Sequence, residues 1–316
     1  MVPTADKAAR IAVIGAGHVG ATAAYALMLR ALVSEIVLID SNATLAAAEA
    51  ADISDANALA RPARIWAGTY QDCADATIAV ITAGAATHGT ESRLSVLKRS
   101  AAIVGSCVES LIAAGFKGII LVAANPVDVM THVTLSTSQL AAQRVIGTGT
   151  LLDSSRLLKA IAAKLNVAPE AMAGLVLGEH GDSEVAAFSG VRVGGLTLED
   201  FTGPDEPLDR DAIAKEVREA GYRIISGKGY TSFGIATAIV QICEAIIRNE
   251  RIVLPVSTLL AGQYGIEDVC LSLPCILGAG GVERILQPQL SPAEHRALHG
   301  SAEVIRAAMA TLQADR

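Results

Sequence analysis

Short apolar runs alternate with longer helical patterns over the first half of the chain. The runs have the length of strands and are rich in Ile and Val, as parallel strands buried on both faces are; they cover 10–14, 35–40, 77–83 and 118–124. Helices are predicted between them over 19–30 and 44–59, and three- and four-residue spacing of apolar side chains from Leu94 to Leu111 predicts a long one. This order predicts an α/β fold with a doubly wound parallel sheet and right-handed crossovers.

The regular alternation stops near residue 150. The later pattern mixes helices with hairpin strands, and it includes predicted helices over 151–165, 213–224, 235–247 and 293–312 and strands over 175–177, 269–277 and 282–286. A further hairpin is expected around Gly194 and Gly195. No long linker separates the halves, so we predict two domains, with 1–148 carrying the parallel sheet and 149–316 forming an α+β domain with antiparallel strands.

Composition and charge exclude several classes of protein. Among 316 residues, 52% are hydrophobic and the net charge is −7 without a Lys/Arg cluster, which argues against a nucleic-acid surface. A polar start and the lack of any run of eighteen apolar residues predict neither a signal peptide nor a membrane span. Five scattered cysteines, an odd number, favour a reduced cytoplasmic protein with mostly buried thiols.

A Gly-x-Gly-x-x-Gly sequence lies between the first predicted strand and the first helix. Gly15 permits the tight turn, Gly17 lets a pyrophosphate approach the backbone, and Gly20 lets helix and strand pack closely. Asp40, twenty residues after Gly20, would bind ribose hydroxyls and repel a 2′-phosphate. A turn that needs glycine only for its shape is the alternative, but the context favours a Rossmann-type NAD site. We interpret His18 as a turn residue.

Polar residues at the end of the predicted strand 175–177 suggest acid–base chemistry. His180, between Glu179 and Gly181, suits a general acid or base. A hydrogen-bonded turn histidine and a metal ligand are the alternatives. No second His or Cys lies at ligand spacing, so no metal site is predicted.

Two further segments carry charged candidates. Asp153 and Arg156 are three residues apart on one face of a predicted helix start. They form a simple intrahelical salt bridge, or they point into a site where Arg156 grips a carboxylate and Asp153 partners a histidine. The small polar residues of 83–93 suit a mobile lid. Arg93 is either a solvated surface residue or a residue of the site. A cation at a helix start is electrostatically unfavourable, which favours a role in the site.

Together these motifs resemble the L-lactate/L-malate dehydrogenase family. The matching segments occur in order along the chain; they are 15–20, Asp40, 82–85, 91–94, 125–128, 147–156 and 178–182. The resemblance implies an NAD-dependent L-2-hydroxyacid dehydrogenase that transfers hydride reversibly between NADH and a 2-oxo acid. L-lactate and pyruvate are the leading pair of substrates.

The resemblance also implies a role for each matching residue. His180 would exchange a proton with the substrate oxygen, and Asp153 would fix its tautomer and raise its pKa. Arg156 would hold the substrate carboxylate, and Arg93 would close in with the lid to stabilise charge on that oxygen. The remaining implied contacts are Asn125 and Thr231 to the substrate and Asn125, Thr148 and Ile235 to the cofactor. A structural interpretation of Asn125 is also possible, as a helix N-cap that is followed by a proline at the first helical position.

The lid departs from the family pattern at the residue that meets the substrate side chain. Thr87 stands where lactate enzymes usually have Gln and malate enzymes have Arg. Without a cation there, oxaloacetate would leave a carboxylate unpaired, so malate is disfavoured. The shorter Thr leaves room for a bulkier branched or aromatic 2-oxo acid, which is the alternative substrate. Gly89 should loosen the lid, and His88 contacts a polar substrate tail or faces solvent.

Other departures concern partners and regulation. Leu158 and Ala173 occupy positions where many bacterial lactate dehydrogenases bind fructose 1,6-bisphosphate with Arg and His, so no activation by that sugar is expected. A homotetramer or homodimer is expected, with no nucleic-acid or membrane partner. The competing classes are a non-catalytic dinucleotide-binding protein and an NAD-using glycosidase. The first would not need the polar residues named above, and the second would need metal ligands and a longer chain.

Overall fold

A nine-stranded sheet forms the centre of the computed structural model, which describes residues 9–60, 63–85, 93–203 and 208–313. Six of its strands are parallel and lie in the order β3-β2-β1-β4-β5-β6. They are β1 (Arg10–Ile14), β2 (Glu35–Ile39), β3 (Arg64–Ala67), β4 (Ile78–Ile81), β5 (Ile119–Val122) and β6 (Val145–Gly147). The predicted doubly wound sheet is confirmed. β4 and β5 are buried along their whole length, which explains their continuous apolar sequences.

Nine α-helices lie within the described part of the chain. They are α1 (His18–Leu29), α2 (Ala43–Asn57), α3 (Arg93–Ala113), α4 (Val127–Ser138), α5 (Leu151–Leu165), α6 (Leu198–Thr202), α7 (Arg210–Lys228), α8 (Phe233–Ile247) and α9 (Pro292–Gln313). The predicted helix over 151–165 has the bounds of α5. The apolar spacing that predicted a long helix belongs to α3, where Val104, Val108 and Leu111 are fully buried.

Three antiparallel strands extend the same sheet beyond β6. They are β12 (Ile252–Ala261), β13 (Glu267–Gly278) and β14 (Gly281–Ile285), and Ser257 of β12 pairs with Gly147. The predicted hairpin of 269–277 and 282–286 is confirmed by β13 and β14. The sequence pattern did not predict β12, whose Pro255 is atypical of a strand with neighbours on both sides.

Two small antiparallel sheets complete the second half of the chain. One contains β7 (Met172–Ala173), β10 (Arg192–Val193) and β11 (Leu196–Thr197), and the other contains β8 (Val176–Leu177) and β9 (Val185–Ala186). Gly194 and Gly195 connect β10 to β11, so the hairpin predicted there is confirmed. Gly178, directly after β8, forms a bridge with Ser272 of β13, and this contact fixes the segment that follows against the large sheet.

Each face of the large sheet has its own apolar core. Alternate strand residues point to opposite faces, so Ile11 and Val13 pack with α1, α2 and α8, whereas Ala12 and Ile14 pack with α3, α4 and α9. A third cluster packs α5 against α7. Four of the five cysteines are buried and all are free, as predicted. Within the described ranges, no helix is both long and apolar enough to cross a membrane.

Candidate active site

The glycine-rich turn after β1 is shaped by three glycines with different roles. Gly15 has a φ of +104°, and a Cβ there would lie 2.6 Å from the backbone nitrogen of Ala83. A Cβ at Gly20 would lie 1.8 Å from the carbonyl oxygen of Gly15. A Cβ at Gly17 would meet nothing within 4 Å, and α1 starts at the next residue without a side-chain cap. This open helix N-terminus fits the pyrophosphate of a dinucleotide.

Asp40 lies beside this turn, at the end of β2. Its Oδ2 accepts a hydrogen bond of 2.7 Å from the Ala16 N–H, and its Oδ1 accepts one of 2.8 Å from the Asn42 N–H. Oδ1 also accepts a longer hydrogen bond of 3.4 Å from the Ser41 hydroxyl, whereas Oδ2 keeps a lone pair for a further donor. The carboxylate is therefore oriented where a ribose with two free hydroxyls would be bound and a 2′-phosphate would be repelled.

Asp153 joins the two basic residues predicted from the sequence. Its Oδ2 lies 2.5 Å from Nδ1 of His180, and its Oδ1 accepts a hydrogen bond of 2.8 Å from Nη1 of Arg156. The Asp153 side chain is only 2% exposed, whereas those of His180 and Arg156 are 27% and 18% exposed. The intrahelical salt bridge therefore exists, and its acidic member, Asp153, also binds the histidine. The structure brings together three residues whose interpretation the sequence left open.

The charges in this group set the protonation of the histidine. Burial by itself lowers the pKa of His180, but the negative charge of Asp153 and the hydrogen bond to it raise this pKa to about 9. Burial raises the pKa of Asp153, but His180 and Arg156 outweigh it and the net direction is down. The pair is an imidazolium and a carboxylate at neutral pH, which is the form that donates a proton.

Asp128 binds the backbone of the histidine. Its Oδ2 accepts a hydrogen bond of 2.8 Å from the His180 N–H, and its Oδ1 accepts one of 2.6 Å from the Ser257 hydroxyl. Burial raises its pKa to about 6, against the lowering effect of these two hydrogen bonds. No role was predicted for Asp128. The available signal was an acidic residue between Val127 and Val129 in the first turn of a helix.

A cavity of about 310 Å³ brings most of the predicted residues to one place. Seven of the residues that line it were predicted as site residues, and they are Asn125, Thr148, Asp153, Arg156, His180, Thr231 and Ile235. Glu184, Arg218 and Tyr222 also line it, although none of them was predicted. The volume suits a small acid beside one end of a larger cofactor.

The predictions for the lid lie largely outside the described residues. Thr87, His88 and Gly89 all belong to the range 86–92, and α3 begins at Arg93. The roles assigned to Thr87 and Arg93 therefore remain predictions.

The N-cap interpretation of Asn125 is wrong. α4 begins at Val127, and Pro126, with an extended ψ of 119°, occupies the N-cap position. The proline is therefore not the first helical residue, and Asn125 lies one residue outside the cap. Asn125 lines the cavity instead, where its amide is available to a bound molecule.

Two models of known protein families match this chain, one in each half. The model of the lactate/malate dehydrogenase NAD binding domain matches residues 9–147, and that of the lactate/malate dehydrogenase alpha/beta C-terminal domain matches residues 150–315. The chain belongs to the lactate/malate dehydrogenase family. This membership confirms the predicted NAD-dependent oxidoreductase over the non-catalytic and glycosidase alternatives.

Relatives in this family are similar along nearly the whole chain. An L-lactate dehydrogenase of Priestia megaterium is 41% identical over 303 residues, which cover 95% of each chain. An L-lactate dehydrogenase of Thermus aquaticus is 41% identical over 307 residues, 96% of this chain and 99% of the other. The crystal structure of the ligand-bound minor L-lactate dehydrogenase of Enterococcus mundtii superposes with a TM-score of 0.94 at 39% identity, covering 96% of this chain and 98% of that one.

Proposed function

We propose that this protein is an L-2-hydroxyacid dehydrogenase that interconverts pyruvate and L-lactate with NADH and NAD. The observation that carries the proposal is the placement of His180, Asp153 and Arg156 around one cavity. A 2-oxo acid needs a proton donor for its carbonyl oxygen and a cation for its carboxylate. The site offers both within one network of hydrogen bonds.

The proton transfer follows from the geometry of the histidine. Its Nδ1 is bound to Asp153, so Nε2 is the nitrogen that exchanges a proton with the substrate oxygen. The chemistry that NADH would supply when bound is a hydride for the carbonyl carbon, and His180 would give its proton to the carbonyl oxygen. The imidazolium becomes neutral as the alcohol forms, and Asp153 stays ionised because Arg156 remains beside it. Oxidation of the alcohol reverses each step.

Arg156 is the group proposed to orient the substrate. Within the part of the chain that the structure describes, its guanidinium binds Asp153 through Nη1 alone, so the remaining N–H groups are available to bind a carboxylate with two parallel hydrogen bonds. Binding to a cation that is itself fixed by a buried carboxylate holds the 2-oxo group close to His180. Arg93, at the start of α3, is proposed to stabilise the negative charge that grows on the substrate oxygen.

The cofactor is proposed to lie across the carboxyl ends of the parallel strands. Gly15, Gly17 and Gly20 would accommodate the pyrophosphate, and Asp40 would bind the adenosine ribose. At the other end, the nicotinamide would contact Asn125, Thr148 and Ile235. Ile235 offers the ring an apolar wall that excludes water from the path of the hydride.

The preferred substrate is proposed from the cavity and from Thr87. Pyruvate is the leading candidate, since the relatives described above are L-lactate dehydrogenases. Thr87 favours a branched or aromatic 2-oxo acid as the alternative, because it is shorter than Gln and carries no charge for a second carboxylate. Thr231 is proposed to contact the substrate, in keeping with its place in the cavity wall. Oxaloacetate is disfavoured.

We further propose a cytoplasmic homodimer or homotetramer whose activity does not depend on fructose 1,6-bisphosphate. Leu158 and Ala173 carry no charge that could bind a phosphate group. We propose that residues 1–148 bind the cofactor and that residues 149–316 provide most of the substrate contacts.

The decisive experiment measures NADH oxidation with pyruvate, oxaloacetate, 2-oxoisocaproate and phenylpyruvate, with and without the sugar phosphate. We expect the highest kcat/KM with pyruvate and no activation. His180→Ala should lower kcat with pyruvate by about 10³-fold or more, as loss of a general acid does. His295→Ala, an exposed histidine on α9, is the matched control and should keep full activity. Failure to reduce any 2-oxo acid, or undiminished turnover by His180→Ala, would refute the proposal.

A further inference from the structure

Glu184 is a buried acid that the proposed reaction does not use. It follows Ser183 and precedes β9, and its backbone N–H donates to the carbonyl oxygen of Gly181 at 3.2 Å. The residue is 8% exposed, and its Oε1 has no hydrogen-bond partner among the residues that the structure describes. It lines the same cavity as Arg156 and His180. Such a carboxyl is costly to bury when it is ionised, because burial removes an unpaired charge from bulk water.

The charged groups that act on Glu184 come from three parts of the structure. α5 contributes Asp153 and Arg156, the segment after β8 contributes His180, and α7 contributes Arg218. Burial and the negative charge of Asp153 raise the pKa of Glu184 to about 8, against the lowering effect of the three cations. The neutral form of its side chain therefore predominates at pH 7. Asp182, also at the cavity wall, is exposed to solvent.

We propose that Glu184 is a positioning residue of the substrate-carboxylate site, neutral while substrate binds, and that its ionisation weakens the hold of Arg156 on that carboxylate. This inference rests on the proposed function. While Glu184 is neutral, Asp153 is the one anion that Arg156 contacts among the described residues, and the other N–H groups of its guanidinium are available. An ionised Glu184 would attract the same guanidinium and repel an incoming carboxylate.

The same charge change acts on His180. A second anion near the imidazolium stabilises its protonated form, so ionised Glu184 makes His180 a weaker acid. Both effects disfavour reduction as the pH rises, and both begin below the pH at which His180 itself loses its proton. The protonation of Glu184 thus sets the upper end of the pH range in which a 2-oxo acid is bound well.

The test compares the pH dependence of the KM for pyruvate in the wild type and in Glu184→Gln, which is neutral at every pH. If only the protonated enzyme binds, a group of pKa about 8 raises the wild-type KM about fourfold between about pH 6.5 and 8.5. In Glu184→Gln we expect a KM that changes by less than about 1.5-fold over the same range. Asp182→Asn, which removes an exposed carboxyl two residues away, should retain the wild-type rise.

A second measurement does not depend on turnover. Infrared difference spectra of the holoenzyme, recorded while the pH is raised from about 7 to 9, should lose the carbonyl stretch of a protonated carboxylic acid. That loss should be absent from Glu184→Gln and present in Asp182→Asn. A wild-type KM that does not change with pH, or a spectrum without the protonated band at pH 7, would overturn the role of Glu184. Either result would leave the dehydrogenase proposal intact if pyruvate is still reduced, whereas inactivity toward every 2-oxo acid would overturn both.

Discussion

The carboxylate of Asp128 accepts a hydrogen bond of 2.8 Å from the backbone N–H of His180, 52 residues further along the chain. Asp128 is 1% exposed, and its second oxygen binds the Ser257 hydroxyl. One buried acid therefore connects α4, β12 and the segment that carries the histidine. While Asp153 fixes the ring of His180, Asp128 fixes its backbone.

Replacing Asp128 should destabilise the protein more than replacing its partner Ser257. Asp128→Ala leaves a partly buried N–H and a buried hydroxyl without an acceptor, so we expect a loss of about 2–4 kcal/mol in the free energy of unfolding. Ser257→Ala removes one hydrogen bond and should cost about 1 kcal/mol. Urea denaturation of the two variants beside the wild type measures both values. If the two variants lose the same free energy of unfolding, the prediction that Asp128 contributes more than its partner Ser257 is wrong.

Asp153→Asn should shift the pH dependence of pyruvate reduction to lower pH. Reduction needs the imidazolium, and its pKa of about 9 is held up by the charge of Asp153. Without that charge the pKa of His180 falls, because burial lowers it and only the smaller effects of Asp128 and Glu184 oppose burial, so more of the histidine is neutral at pH 7. We expect reductive kcat/KM at pH 7 to fall by about 10²-fold or more, with partial recovery as the pH is lowered. A high-pH limb that stays at the wild-type midpoint would contradict the assignment.

Alanine at two of the turn glycines should have opposite consequences. Gly20→Ala places a Cβ 1.8 Å from a carbonyl oxygen, so we expect it to lower the free energy of unfolding by about 3 kcal/mol or prevent folding. Gly17→Ala meets no atom within 4 Å and should fold normally. Its methyl group would occupy the approach of the pyrophosphate, so NADH should bind about tenfold more weakly or worse. Thermal unfolding and NADH fluorescence titration separate the two effects, and a normally stable Gly20→Ala would contradict this account.

The ring of His18 stacks on Tyr230, with centroids 3.8 Å apart and planes 10° from parallel. This contact joins the glycine-rich turn to the connection between α7 and α8, next to Thr231. Tyr230→Ala should weaken NADH binding about fivefold, because an aromatic pair contributes about 1 kcal/mol beyond its buried area. Tyr230→Phe retains a ring that can stack and serves as the control. If both variants bind NADH alike, the stack has no part in organising the cofactor site.

Four of the six parallel strands, which are β1, β2, β4 and β5, and the cofactor turn could be predicted from the sequence because their causes are local, whereas β3 and β6 were not predicted. Strands buried on both faces need continuous apolar residues, and the turn after β1 needs glycine where the backbone has a φ of +104°. The ends of α5 and the hairpin of β13 and β14 also followed from neighbouring residues. Residue type and spacing were likewise enough to select His180, Asp153 and Arg156 as candidates.

Contacts between distant segments were decided only by the tertiary structure. The sequence pattern does not indicate which strand lies beside β6, so β12 and its pairing with Gly147 were not predicted. Asp128 and Ser257 are 129 residues apart, and their hydrogen bond exists only because α4 packs on β12. The protonation of His180 and Glu184 depends in the same way on charges that four separate elements bring together. A local pattern fixes which residues are buried and which can react, whereas packing determines the neighbours that set their charge.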